Sequence, residues 1–195
     1  MKMPKLEYIG RVYRPSDDTW LLLELLSTEN SKKRVCVDLG AGSGVLGLYA
    51  LINGICEFVV FIDIEEDAVE TTRLNALLNK LEHRSLVVLA DDVVLREEVA
   101  ELIVANPPYL PAESTTVVDL AVEGGIEGYE TALYFVDYAA HALKRRGALY
   151  IVYSSLSKPE VIEKRLESSG FGNCLSKNKR FFYEVITARR CEKLW

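Results

Sequence analysis

The apolar run ELIVA (101–105) stops at Asn106-Pro107-Pro108-Tyr109, the first residues in the chain whose types and spacing could do chemistry. Asn106 precedes a proline, so its backbone is biased toward an extended state. Pro107 and Pro108 fix φ and lack an N–H, so this turn loses little entropy on ordering. Two acceptors come preorganised: the Asn106 side-chain oxygen and the Pro107 carbonyl. Such a pair suits a planar NH2 group, in an amide or a base, whose nitrogen is being alkylated. The acceptors would bind its two N–H bonds and stabilise the positive charge developing on nitrogen, without a strong base. Tyr109 would stack on the planar group. Holding the nitrogen about 3–3.5 Å from the carbon it attacks would supply proximity. Taken alone, N-P-P-Y reads equally well as a plain turn.

The carbon donor is read from other strand ends. In DLGAGSGVLG (38–47), Gly42, Gly44 and Gly47 fit G-x-G-x-x-G, the dinucleotide fingerprint. Gly40, Gly42 and Gly44 fit D-x-G-x-G-x-G, with Asp38 where the strand ends. Charge separates the two. A carboxylate at Asp38 repels a pyrophosphate but attracts the ammonium and sulfonium of S-adenosylmethionine. Asp63 ends the second apolar run about 20 residues on, where it would accept from ribose hydroxyls. Asp91 and Asp92 end the third run and would accept from an adenine amine. Any one of these acids could be a helix cap. Acids at three successive strand ends favour the methyl donor.

The elements that must position these residues follow from hydrophobic pattern. RVCVDL (34–39), FVVFID (58–63), SLVVL (85–89), ELIVA (101–105) and ALYIVY (148–153) are short runs rich in β-branched residues. Helix-like stretches at 43–53, 65–80, near 94–100 and 129–146 separate most of them, which points to buried parallel strands in a doubly wound sheet. A further helix is expected at 158–169, and RFFYEVITA (180–188) reads as a last strand in an antiparallel edge. RPSDDTWLLLELL (14–26) reads as a turn and an amphipathic helix, capped by Ser16 or Asp17, with the acids at its positive end. The stretch 106–128 has no structural pattern, and such loops are often functional. A single domain is expected: an extension and covering helix over 1–30, then a Rossmann-like core over 31–195.

Composition narrows the function classes. The chain has 195 residues, 49% hydrophobic, with 23 basic and 29 acidic side chains and a formal charge of −6. That balance lacks the basic footprint of sustained nucleic-acid binding. Lys144–Arg146 and Lys177–Arg180 are small basic patches that read as solvated helix ends or turns. Cys36, Cys56, Cys174 and Cys191 are scattered, and the histidines are His83 and His141 alone, so no metal site is expected. Cys36 is expected to pack as a small hydrophobe. WLLLELL is too short to span a bilayer, which favours a soluble, cytoplasmic protein.

The combination of DLGAGSG, DIEEDAVETTRLNA, ADD and NPPY resembles class I S-adenosylmethionine-dependent methyltransferases acting on planar nitrogens. VYRPSDDTWLLLELL and EGGIEGYE (123–130) narrow the resemblance to the archaeal and eukaryotic branch of the HemK-like release-factor glutamine methyltransferases. It covers Tyr13 to about Ala188. The resemblance implies an α/β, Rossmann-like sheet of seven strands, mostly parallel with the last antiparallel, and helices on both faces. It implies methylation of the glutamine of the GGQ motif in a peptide-chain release factor. Thr19, Asp38 and Gly40 would then line the methionine end of the donor, Asp63 the ribose, and Asp91 with Asp92 the adenine. Asn106 and the Pro107 carbonyl would hold the amide. It further implies a small zinc-binding activator subunit on an apolar sheet edge, a role that SLVVL would suit. The competing readings are an N6-adenine or guanine-N2 methyltransferase acting on DNA or RNA, a non-catalytic donor-binding subunit, and an NAD-dependent dehydrogenase, which Asp38 disfavours.

Overall fold

A computed structural model describes residues 2–109, 125 and 127–195. The chain runs α1 (Asp17–Leu26), β1 (Lys33–Leu39), α2 (Val45–Ile52), β2 (Cys56–Asp63), α3 (Glu66–Leu78), β3 (Ser85–Leu89), β4 (Ala100–Ala105), α4 (Glu130–Ala142), β5 (Leu143–Ser154), α5 (Pro159–Ser168), β6 (Phe171–Arg180) and β7 (Val185–Lys193). The strands form one sheet in the order β3-β2-β1-β4-β5-β7-β6. Strands β1 to β5 pair in parallel, and β7 is antiparallel to both of its neighbours. The order reverses between β1 and β4, the switch point at which open α/β sheets bind ligands beyond their carboxyl ends.

Alternation along each strand builds two cores. Cys36, Val59, Phe61, Leu102, Val104, Tyr150 and Val152 face α1 and α2. Val37, Leu39, Val60, Ile62, Ile103, Leu149 and Ile151 face α4 and α5. Both faces of the central strands are covered, which is why their sequences read as unbroken apolar runs. On the first face, Leu22 and Leu26 of α1 are fully buried. Truncating either to alanine costs about 2–5 kcal/mol.

Several expectations are corrected. Residues near 94–100 form no helix. The Glu98 N–H donates to the His141 carbonyl and His141 Nε2 donates to the Leu95 carbonyl, so tertiary bonds override the local helical pattern. The helix expected over 129–146 ends at Ala142, and Leu143–Arg146 already belong to β5. There Arg146 takes φ +66° and the pairing with β4 shifts register. Strand β6 is absent from the pattern because Gly172, Asn173 and its lysines have low strand propensity; as a solvated edge strand it needs little. The last strand starts at Val185, because Arg180 closes β6 and Phe181–Tyr183 form the turn. Cys36 is buried as expected but is bonded to Cys56, and Cys174 to Cys191. No local pattern such as C-x-x-C marks these pairs, since the sheet alone brings them together.

Residues 2–11, which carry no recognisable pattern in sequence, run extended and antiparallel along α3. The N–H groups of Lys5, Glu7, Ile9 and Arg11 donate to side chains of Asn79, Asn75, Thr71 and Asp67, at 2.7–3.0 Å. Asn79, Asn75 and Thr71 donate back to the Lys5, Glu7 and Ile9 carbonyls. The spacing explains the match. Four helical residues rise about 6 Å and two extended residues about 6.6 Å, so an i, i+4 row meets every second residue of the strap. A bare extended segment thus has the backbone of every second residue bonded to α3 without joining the sheet.

Candidate active site

Asn106 leaves the end of β4 with its side chain held in one orientation. Its Nδ2 donates to Asp18 Oδ2 at 3.2 Å and to Thr19 Oγ1 at 3.3 Å. Its Oδ1 is buried and has no partner among the described residues. A buried acceptor left unpaired carries a desolvation cost of about 1–3 kcal/mol, so this atom is waiting for a donor. The first turn of α1, packed over the carboxyl ends of the strands, supplies the lock.

Asp18, 2% exposed, is the hub of that lock. Its carboxylate accepts from the Thr19 N–H at 2.5 Å, the Tyr13 hydroxyl at 2.9 Å and the Tyr109 hydroxyl at 3.2 Å. Burial, with the charge of Asp18, pushes both phenols far above their usual range, so each stays a donor. Every group around the carboxylate therefore donates to it, and the Asn106 amide cannot turn over without facing Asp18 with an oxygen. Ser16 stands at the N-cap position but makes no side-chain cap bond.

A cavity of about 360 Å³ opens from Asn106, Pro108, Thr19 and Tyr13 across Gly40–Ser43 to Asp63, Ile64, Asp91 and Asp92, with Phe135 and Tyr138 along α4. Gly40, Gly42 and Gly44 all take positive φ, +66°, +53° and +74°, which places the tight turn on the D-x-G-x-G-x-G register. Gly47 serves helix–sheet contact instead: a Cβ there would lie 2.4 Å from the Phe61 ring. The loop is fastened from both sides. Asp63 Oδ2 accepts from the Gly42 N–H at 2.8 Å, Thr72 Oγ1 donates to the Gly42 carbonyl, and Asn75 Nδ2 to that of Ser43.

The profile of the methyltransferase small domain matches residues 16–187 of this chain. The chain belongs to the methyltransferase small domain family. Methyltransferase HEMK2 of Mus musculus is 28% identical over 97% of this chain and 96% of its own. The release factor glutamine methyltransferase of Aquifex aeolicus is 26% identical over 94% of this chain and 72% of its own. Among solved structures, the E. cuniculi Mtq2–Trm112 complex, responsible for methylation of the eRF1 translation termination factor, contains a chain 27% identical to this one. The two superpose with a TM-score of 0.69 over 93% of this chain and 98% of that one.

For a methyltransferase small domain, the cavity fits S-adenosylmethionine. Asp63 reaches it at the end of β2, and its two oxygens, engaged by Gly42 and Glu65 N–H groups, keep lone pairs for ribose hydroxyls. Asp91 and Asp92 stand exposed at the far end of the cavity, which Tyr134 also lines. Thr19, Gly40 and Gly42 line the wall, while Gly44 shapes the turn behind it. Asp38 lies beneath the loop: its Oδ2 accepts from the Gly47 N–H at 2.8 Å, and its Oδ1 is buried without a partner among the described residues. Burial, with the charge of Asp63, pushes its carboxyl up to about 8 against the pull of that N–H. Burial thus favours the protonated carboxyl of Asp38, and a cation nearby would favour its charged form. Tyr109 reaches the site through its hydroxyl on Asp18, and Pro107 is buried.

The structure joins Asn106, Thr19, Tyr109 and the glycine loop into one site, and adds Asp18 and Tyr13. In sequence the acidic pair reads only as helix-end charge. What reveals Asp18 is the topology, which sets the start of α1 against the end of β4. Three of the eight residues of EGGIEGYE, and almost the whole loop after Tyr109, lie outside the described residues.

Proposed function

We propose that this chain transfers a methyl group from S-adenosylmethionine to the side-chain amide nitrogen of a glutamine in a peptide-chain release factor. The observation that carries it is Asn106 Oδ1, buried at the cavity and without a partner among the described residues, with the Nδ2 of the same side chain held on Asp18 and Thr19. Bound S-adenosylmethionine supplies an electrophilic methyl on a positively charged sulfur. Asn106 Oδ1 accepts one N–H of the incoming amide, and the Pro107 carbonyl accepts the other. These bonds turn the nitrogen toward the cavity and strengthen as it becomes positive, so they favour the transition state over the ground state. The Asp18 carboxylate reinforces the effect through Asn106. A nitrogen–carbon bond forms, a sulfur–carbon bond breaks, and one N–H proton leaves to water at the mouth.

The protein substrate is favoured by relatives that are named for release-factor methylation and matched over most of this chain, and by the net charge of −6. The test is methyl transfer to a purified release factor, to the same factor with its motif glutamine replaced, and to DNA and RNA. Methylation of the intact factor alone supports the proposal; transfer to nucleic acid alone overturns it.

We also propose that a small zinc-binding activator docks on β3. This edge strand has one unpaired side and exposes Leu86 and Leu89, with Leu77 and Leu78 of α3 nearby. The Mtq2 chain of similar fold is solved in complex with a second subunit, Trm112. Co-expression with a small activator subunit is expected to raise donor affinity, and Leu86→Lys to abolish the gain. Unchanged affinity on mixing would refute it.

A further inference from the structure

The turn joining β6 to β7 carries the most exposed aromatics of the described chain. Phe182 is 90% and Tyr183 84% exposed, their rings edge-to-face at 4.7 Å, and Phe181 is 38% exposed. Trp20 of α1 and Leu156, just past β5, add two exposed apolar side chains at the same end of the sheet. Large apolar groups left in water at one place mark a contact surface, and aromatic residues are those enriched at the centres of protein interfaces.

Its position ties this surface to the catalytic cavity. Strands β5 and β6 end, and β7 begins, on the rim where β4 delivers Asn106. Glu184, which closes the turn by accepting the Phe181 N–H on its carbonyl, also accepts from Ser154 Oγ at 2.7 Å. Its charge is felt by the Tyr109 hydroxyl. Lys179 bonds to Asp17 at 2.7 Å and Lys177 to Glu24 at 3.4 Å, fastening β6 to α1. The aromatic turn thus stands on the same rim of the sheet as the cavity's mouth, with two surface ion pairs joining β6 to α1.

Charge decides what kind of partner it fits. Lys177 and Lys179 form a small basic patch, but each is paired with an acid of α1. Glu184 adds a negative charge at the centre. Arg180 is the one cation of 177–184 without an acid partner among the described residues. A surface that tracks nucleic acid needs several free cations, and this one offers aromatic area with balanced charge.

Accordingly, we propose that the β6–β7 turn, Phe181 to Tyr183 with Trp20 and Leu156, is the docking surface for the polypeptide that presents the acceptor amide. Its aromatic rings grip the folded substrate beside the target residue while Asn106 holds the amide. This rests on the reading of a release factor as substrate.

The experiment compares the wild-type chain with a Phe182→Ser/Tyr183→Ser variant. Both side chains are solvated, so the fold is expected to keep its melting temperature. With intact release factor, KM is expected to rise more than about tenfold, because truncated aromatic anchors dominate interface affinity. The kcat and the affinity for S-adenosylmethionine should stay within about twofold, and a short glutamine peptide, which reaches only the cavity, should be methylated equally by both. An unchanged KM for a factor that the wild type does methylate refutes the docking surface and leaves the function standing. Wild-type transfer to nucleic acid and not to the factor overturns both. A variant that loses donor binding assigns the turn to the donor site and refutes the proposal.

Discussion

Replacing Asp18 with asparagine exchanges one oxygen for an NH2 group and removes the reason Asn106 points one way. In the native site every neighbour donates to Asp18: the Tyr13 and Tyr109 hydroxyls, the Thr19 N–H and Asn106 Nδ2. The side chain introduced by Asp18→Asn offers one acceptor and an NH2 group. The Thr19 N–H holds the new oxygen at the Oδ1 position, so the NH2 takes the Oδ2 position; the phenols can rotate to accept from it, but the Asn106 amide must turn over to do so, and its Nδ2 then faces the incoming substrate. A donor stands where an acceptor is required. The charge-assisted bond itself is worth about 1.5–3 kcal/mol. Losing one preorganised group at a developing charge costs about 2.7–4 kcal/mol, or 10²–10³ in kcat. We expect kcat to fall at least 100-fold in single-turnover methyl transfer, while calorimetry shows donor affinity within about fivefold. The substitution preserves shape, so the melting temperature should move by only a few degrees. A kcat within about threefold of wild type would refute the orienting role of Asp18.

Three further outcomes are expected. Asp38, pushed up to about 8 by burial, holds a proton in the folded chain that the unfolded chain has already lost above about pH 4. Its contribution to stability therefore falls as pH rises from 4 to 8, by at most ~1.4 kcal/mol per unit. Asp38→Asn should raise the melting temperature at pH 8 more than at pH 4 and weaken donor binding; equal shifts at both pH values would contradict the assignment. Gly10, at φ +61°, leaves no room for a Cβ against the Asp67 carboxylate. Gly10→Ala should lift the strap and lower donor affinity several-fold, through Val12 and Tyr13 on the cavity wall and through Asn75, which bridges Glu7 to the Ser43 carbonyl. An unaltered donor affinity would make the strap passive. All four cysteines are paired. Denaturation without reductant should leave no thiol to alkylate, and Cys174→Ala/Cys191→Ala should cost about 2–4 kcal/mol.

How much was legible in the sequence follows the range of the forces involved. The central strands could be read because burial on both faces leaves apolar runs, and the glycine loop because Gly40, Gly42 and Gly44 need φ that other residues resist. Asn106 was legible from two prolines and an amide. The Asp18 lock, the disulfides and the strap were not. Each joins residues far apart in the chain through side chains that look unremarkable locally, as with Asn75 and Asn79 on a helix. Strand β6 escaped because an edge strand held by its neighbour needs no pattern of its own. Lys177 and Lys179 read in sequence as a solvated helix end or turn; the fold puts them on strand β6, where their acid partners on α1 leave the β6–β7 turn with balanced charge.

The most direct test of the account is methyl transfer by the Asn106→Ala chain, measured by mass spectrometry on purified release factor beside donor calorimetry. Alanine removes the unpaired acceptor and leaves the glycine loop, Asp63 and the acids after β3 in place. The account predicts that the wild-type chain adds one methyl group to the motif glutamine, and that the variant binds donor within about threefold yet transfers at least 100-fold more slowly. Undiminished transfer by the variant would contradict it.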